Sequence, residues 1–302
     1  MTVVVTVVTR LASPLVAAFA AGFLGCLGTL ALTAFGVVSS LASASTTALL
    51  CGLFLITRTA RYLSGAFFPA LYGGTFGGMT SVASLTNNIP SHSLTLTAGL
   101  FIALSIVCGL AFLVATKTDT RSVVPIASGY GGRWGTIAAI ASFVFIDLAQ
   151  RLLGSGGSVF LGIHTASIPE PNVLALKLGA CMVGTFVTFF VFRLPAVAEA
   201  GSPERIYIAS AVALSGLAFL SIFNSNSTGT LGDFYAGCFL GMSSPKRLTG
   251  WRQTAFGAVV LTATLPLVRA IFSDVGGGLG SDHLISDQAG WRPELINITI
   301  YQ

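Results

Sequence analysis

Residues 71–86 read LYGGTFGGMTSVASLT, and residues 234–249 read FYAGCFLGMSSPKRLT. Aligned without a gap, the two stretches share eight identical residues, and Tyr235 follows Tyr72 by 235 − 72 = 163 positions. Composition bias could align glycines, but it does not explain a shared tyrosine, phenylalanine and methionine. The identical residues are Tyr72, Gly74, Phe76, Gly78, Met79, Ser81, Leu85 and Thr86 in the first copy and Tyr235, Gly237, Phe239, Gly241, Met242, Ser244, Leu248 and Thr249 in the second.

The spacing of the two copies indicates that the chain contains a duplicated unit. The offset is a little over half of the 302 residues, which is too long for a solenoid repeat. The surroundings also correspond, though more loosely. In each half an apolar run precedes the motif, another follows it, and a Gly-Thr step lies in the first helix. The runs are residues 46–57 and 206–223 before the motif and 93–115 and 254–272 after it, and the steps are Gly28-Thr29 and Gly184-Thr185.

The composition places this duplicated unit in a membrane. Hydrophobic side chains make up 54% of the chain and charged ones 8%, with a mean hydropathy of +0.86, whereas soluble domains are about one quarter charged. So few charges cannot cover a water-facing surface, and the apolar runs approach the roughly twenty residues that cross a bilayer. We therefore predict an all-α polytopic membrane protein surrounded by lipid. The predicted crossings are residues 14–39, 93–115, 173–192, 206–223 and 254–272, with shorter ones at 46–57 and 134–149.

Lysine and arginine positions predict how the two halves are oriented, because cytoplasmic loops hold the excess of positive charge. With the N-terminus cytoplasmic and an uncharged external loop at residues 40–45, the first motif crosses outward and the second crosses inward. The halves then form two inverted helical repeats with Gly-rich short or broken crossings, and the C-terminus is external. The predicted divisions are 1–133 for the first membrane repeat, 134–171 for a connecting helix and external loop, 172–282 for the second membrane repeat, and 283–302 for a polar C-terminal tail.

The motif allows two interpretations. Its glycines form GxxxG spacings, which let another helix backbone approach closely, so the motif helices could serve only to pack. Alternatively they are broken crossings whose ends offer backbone N–H groups and hydroxyls to a substrate or ion. The hydroxyls concerned are Thr80, Ser81, Ser243 and Ser244. Asp233 is a further polar candidate, although its place before the second motif favours a helix N-cap.

Other ionisable and sulfur-bearing residues have structural explanations. Asp147 and Arg151 are one helical turn apart and are expected to form an ion pair. The five cysteines lie in apolar segments without CxxC spacing, so we expect buried packing residues rather than a metal or disulfide framework. We expect no cofactor, no metal site, no nucleic-acid partner and no enzyme activity, since no catalytic motif is found.

Two functions remain open from the sequence. The first is a transporter or channel for a small solute or ion, with its path between the inverted repeats and the motif at the narrowest part. The second is a non-transporting membrane subunit that uses its Gly-rich helices to bind partner proteins. Exposed GxxxG faces would also suit a homo-oligomer or a membrane complex.

Overall fold

The computed structural model describes residues 13–82, 85, 94–119, 132–152, 171–223, 228–242 and 250–271, and these residues form helices without any strand. We number the α-helices in chain order. They are α1 (Pro14–Ala34), α2 (Ser39–Ile56), α3 (Phe67–Gly77), α4 (Leu94–Asp119), α5 (Gly132–Leu152), α6 (Pro171–Val191), α7 (Pro195–Ala198), α8 (Ser202–Phe223), α9 (Thr228–Gly241) and α10 (Trp251–Ile271). A 3-10 turn, Thr59–Tyr62, precedes α3.

Five of these helices, α1, α2, α4, α6 and α8, are long and apolar enough to cross a membrane. Large apolar side chains on their outer faces are exposed, as lipid contact requires; examples are Leu49, Ile106 and Val183. The chain is therefore a helical, multi-pass integral membrane protein, as its composition predicts. The predicted ion pair is also present, since Arg151 Nε lies 2.9 Å from Asp147 Oδ2 near the end of α5.

The second helix begins earlier than its hydropathy suggests. Residues 40–45 were expected to form an external loop, but α2 begins at Ser39 and includes them. The prediction was wrong because serine and alanine lower the hydropathy without preventing a helix inside a protein. Ser43 and Thr47 are buried within the bundle, and Thr47 Oγ1 donates a hydrogen bond of 3.0 Å to the Ser43 carbonyl. A hydroxyl that bonds its own helix in this way is tolerated at membrane depth.

Both motif helices lie directly on a supporting helix. In the first half, α3 packs on α1, where a Cβ on Gly74 would collide with the backbone of Gly22. In the second half, α9 packs on α6, where a Cβ on Gly237 would collide with the backbone of Cys181. Only hydrogen atoms fit between the backbones at these points, so each glycine is required for the close approach of its helix pair.

The contacts of the next turn correspond as well. A Cβ on Gly78 would collide with the Cys26 carbonyl and with Thr29. A Cβ on Gly241 would collide in the same way with the Thr185 carbonyl, and it would lie 2.8 Å from the Cβ of Thr188. The supporting helices are thus related by an offset of 188 − 29 = 159 residues, not 163.

This offset changes one expected correspondence. In the structure Gly25 corresponds to Gly184. A Cβ on Gly25 would collide with the Leu71 carbonyl of α3, and a Cβ on Gly184 would collide with the Phe234 carbonyl of α9. Gly28, which the Gly-Thr step had suggested, instead faces the side chain of Thr46. The match of the two Gly-Thr steps was therefore wrong by three residues.

The contacts also fix the relative directions of the helices. α1 runs parallel to α3, because contacts advance along both helices together, from Gly22 with Gly74 to Cys26 with Gly78. α4 lies against α1 and runs antiparallel to it, since Gly22 lies next to Phe112 and the later Cys26 next to the earlier Ser105. α5 packs on α3 and α4. The directions of α6 and α9 repeat the parallel arrangement of α1 and α3.

Replacing Gly74 or Gly237 with alanine is expected to destabilise the protein. The added methyl group meets backbone atoms that no side-chain rotation can move, and overpacking of this kind costs about 1–3 kcal/mol. Gly99 and Gly179 provide matched controls, because a Cβ on either has no neighbour within 4 Å. Alanine there is expected to be neutral or slightly stabilising, since it favours helix more than glycine. Thermal unfolding of the purified variants in detergent tests this difference, and equal midpoints for all four variants would contradict it.

Candidate functional site

The two motif helices bring four aromatic rings together at the contact between the halves of the chain. The ring centroids of Tyr72 and Phe239 are 5.5 Å apart, those of Phe76 and Tyr235 are 6.2 Å apart, and those of Phe76 and Phe239 are 4.6 Å apart. We call Tyr72, Phe76, Tyr235 and Phe239 the aromatic cluster. Tyr72 contacts Phe239 and Met242, whereas Phe76 contacts Tyr235 and Phe239. The contacts thus move back along α9 as they advance along α3, so the two helices cross in antiparallel directions. These separations lie within the range of favourable ring contacts.

A chain of hydroxyl groups lies beside the aromatic cluster. Ser43 Oγ donates a hydrogen bond of 2.8 Å to Thr75 Oγ1, and Thr75 Oγ1 donates one of 2.8 Å to the Tyr72 carbonyl. Tyr235 OH lies 2.9 Å from Ser43 Oγ. Because the Ser43 proton is directed to Thr75, the phenol of Tyr235 donates to Ser43. Thr47 Oγ1 lies 3.4 Å from Thr75 Oγ1. We call Ser43, Thr47, Thr75 and Tyr235 the hydroxyl chain.

The hydroxyl chain is buried, and it connects three helices. Ser43 and Thr47 come from α2, Thr75 from α3, and Tyr235 from α9 of the other half. All four residues are at most 2% exposed. Buried hydroxyls in a membrane protein are costly unless they are bonded, and here every member has a partner. The result is a buried polar strip that joins side chains from both halves of the chain.

The two tyrosines of the motif have different surroundings. Tyr235 OH lies within the hydroxyl chain, whereas Tyr72 OH donates to the sulfur of Met242 at 3.7 Å. Thr75 is matched in the second copy by Cys238, since 238 − 75 = 163. The aromatic cluster is thus shared by both halves, but its two tyrosines have different partners, a serine hydroxyl and a methionine sulfur.

The remaining motif residues have other positions. The four glycines lie in the backbone contacts with α1 and α6. Met79 and Met242 are buried, and Thr80 Oγ1 donates a hydrogen bond of 2.7 Å to the Gly77 carbonyl. Ser81 is partly buried at the end of the first motif helix. Ser243 and Ser244 lie outside the described residues.

Asp233 is not the N-cap of its helix. α9 begins at Thr228, so Asp233 lies inside the helix and is 1% exposed. The N-cap expectation was wrong because the helix already includes residues 228–232, although the two glycines among them disfavour helix. Asp233 lies two residues before Tyr235, on the same helix but not in the hydroxyl chain.

Sequence reasoning missed Ser43, Thr47 and Thr75. The first two lie in a serine-rich stretch that looked like a loop, although their spacing of four residues fits one face of a helix. Thr75 lies inside the first motif, but it is not among the residues that the two copies share, because its counterpart is Cys238. Nothing in the local sequence indicates that Ser43 forms a hydrogen bond with Tyr235, which lies 192 residues further along the chain.

The comparisons with known proteins identify no relative: no protein-family model, curated protein or solved structure matches the chain. Among the described residues, no group of three or more His, Cys, Asp or Glu side chains lies close enough together to hold a metal ion. The functional argument therefore depends on the geometry of the aromatic cluster and the hydroxyl chain.

Removing the phenolic hydroxyl group of Tyr235 is expected to destabilise the protein more than removing the hydroxyl group of Tyr72. Tyr235→Phe deletes a 2.9 Å hydrogen bond to Ser43, which is worth about 0.5–1.5 kcal/mol. Tyr72→Phe deletes only a 3.7 Å contact with a thioether, a weak acceptor. Both changes keep the ring in the aromatic cluster, so each variant is the control for the other. Thermal unfolding in detergent distinguishes them, and a larger effect of Tyr72→Phe would contradict the assignment.

Proposed function

We propose that the chain is a membrane transporter or channel for a small solute or ion, and that its path runs along the hydroxyl chain between two inverted repeats. The first repeat comprises α1 to α4 and the second α6 to α10, with α5 as the connecting helix. The observation that carries the proposal is the buried polar strip of Ser43, Thr47, Thr75 and Tyr235, which joins the two halves at the motif.

The helix directions support the inversion of the two repeats. α3 and α9 carry the same motif yet cross in antiparallel directions at the aromatic cluster. α2 and α8 occupy the same place in their repeats and are also antiparallel. A Cβ on Gly52, near the end of α2, would lie 3.2 Å from the Tyr207 ring, near the start of α8. Two repeats of inverted topology would bring their corresponding helices together in antiparallel directions, and both contacts fit that expectation.

The lengths of the motif helices support a path at the same place. α3 has 11 residues and α9 has 14. At 1.5 Å per residue they span roughly 16 and 21 Å, less than the about 30 Å of a bilayer core. A helix of this length that begins at one face of the membrane ends at membrane depth, where irregular backbone is tolerated only against protein or a water-filled cavity. Short helices of this kind form substrate and ion sites in transporters.

The chemistry of the hydroxyl chain fits a small polar substrate. A hydroxyl group offers a proton to an anion and oxygen lone pairs to a cation or neutral solute. A line of such groups can replace hydration water as a solute passes, which is how narrow pores select what they conduct. Since Ser43, Thr47, Thr75 and Tyr235 carry no charge, the strip does not by itself favour either sign of ion.

The alternative, a non-transporting subunit that binds partners through its Gly-rich helices, has less support. The motif glycines lie against α1 and α6 of the same chain, where there is no room for another backbone. Gly74, Gly78, Gly237 and Gly241 are therefore not available as an exposed interface. A homo-oligomer or a membrane complex would have to use other faces of the bundle.

Thr75→Val and Ser43→Ala are expected to change flux through the protein without preventing its folding. Valine has nearly the shape of threonine, and alanine at position 43 removes one oxygen. A hydrogen bond to the moving solute that contributes about 1.4 kcal/mol changes the rate of solute passage about tenfold when it is lost. The assay uses reconstituted vesicles and a panel of alkali cations, halide anions and small neutral solutes such as urea. Thr264→Val is the control, because Thr264 is exposed and bonds only its own helix.

Two outcomes of this assay would contradict the proposal. If the parent protein conducts one of the solutes and both folded variants conduct it at the parent rate, the hydroxyl chain is not part of the path. If the folded parent protein conducts none of them, while other membrane proteins co-purify with it, the subunit function is favoured. Leucine at Gly78 would be a poorer test, since its side chain would collide with the backbone of α1 and disrupt folding.

A further inference from the structure

Two cysteine thiols of the first repeat face each other behind the end of α3. Cys26 on α1 and Cys108 on α4 are both fully buried, and the Cys26 thiol interacts with the side chains of Cys108 and Ser105. A Cβ on Gly77 would collide with Cys108 Sγ and lie 3.6 Å from Cys26 Sγ, so both sulfurs adjoin this glycine. Ser142 Oγ on α5 lies 3.9 Å from Cys108 Sγ. Four helices therefore converge on the thiol pair.

The second repeat fills the corresponding place with a hydrocarbon side chain. Gly77 is matched by Leu240, since 240 − 77 = 163, and the Leu240 side chain lies 3.2 Å from the Cβ position of Gly257 on α10. Cys26 is matched by Thr185, since 185 − 26 = 159. Between α6 and α10 the second repeat has the thiol of Cys181, which lies 3.9 Å from the Ala258 carbonyl, and Cys26 has no cysteine counterpart there. The thiol pair is a property of the first repeat, and it lies apart from the hydroxyl chain.

We propose that Cys26 and Cys108 form a two-thiol binding site for a soft monovalent cation, Cu(I) or Ag(I). Cysteine sulfur is a soft ligand and selects such cations over hard ones. On binding, the metal forms a bond to each sulfur, one thiol releases its proton to water, and the other keeps its proton. The complex of metal, thiolate and thiol then has no net charge, and no oxidation or reduction occurs.

The neutral complex suits the position of the site. An uncompensated charge at membrane depth costs several kcal/mol, whereas one cation balanced by one thiolate avoids that cost. The bound metal would link α1 to α4 directly behind the C-terminal end of α3. Because α1 also supports the motif helix through Gly22 and Cys26, the cation would hold together the helices on which the aromatic cluster is built.

The experiment measures Cu(I) binding by the reduced, detergent-purified protein in competition with the chromophoric chelator bicinchoninate. We expect one Cu(I) per chain to be retained after long equilibration. Cys26→Ser and Cys108→Ser should each weaken binding at least tenfold, because one sulfur ligand is lost. Cys51→Ser is the matched control: Cys51 is equally buried, but it lies on α2 outside the pair, and its loss should leave binding unchanged.

Retention of Cu(I) by Cys26→Ser and Cys108→Ser at the parent affinity would overturn the proposal, as would an equal loss in Cys51→Ser. Absence of binding by the folded parent protein would overturn it too. Folding is checked by size-exclusion elution and thermal unfolding, and either single variant suffices if the other fails to fold. The measurement needs no vesicles, so its outcome is independent of the proposed transport path.

Discussion

The close contact between backbones at the motif glycines is the constraint on which the rest of the structure depends. Lipid gives helices no hydrophobic reason to associate, so association depends on close packing and on hydrogen bonds. Gly74 and Gly237 let α3 and α9 lie directly on α1 and α6. The tyrosines and phenylalanines of the same short helices then project toward the opposite half, where they form the aromatic cluster. One motif thus supplies the contact within a half and part of the contact between halves, to which the packing of α2 on α8 also contributes.

The two halves share this framework but differ in the groups that surround it. Glycines and rings correspond position by position, because each is held by the same contact in both copies. The polar groups do not correspond. Thr75 accepts a hydrogen bond from Ser43, which also bonds Tyr235, whereas Tyr72, the counterpart of Tyr235, donates to a methionine sulfur. Packing therefore accounts for what is repeated. The hydroxyl chain and the thiol pair are differences between the copies, and we assign specific chemistry to them for that reason.

The sequence was sufficient to predict the membrane helices and the motif, because hydropathy and glycine spacing are local properties. It was insufficient for the hydroxyl chain, since Ser43 is placed by contacts with residues 32 and 192 positions away. The same limit applies to Asp233, whose burial depends on a helix that begins earlier than its sequence indicates. The inverted arrangement was predicted from charge positions, and it remains a prediction that sided labelling can test.

The most direct measurement of the central claim is sided labelling of the segments that follow the two motifs. Asn87→Cys and Gly250→Cys are labelled separately in intact, oriented membranes with a membrane-impermeant maleimide, since these two residues directly follow the motifs. The five native thiols are buried and provide a low background. Inverted repeats predict that the two positions react from opposite faces of the membrane. Reaction of both positions from the same face would contradict the inversion and the path that we place between the repeats.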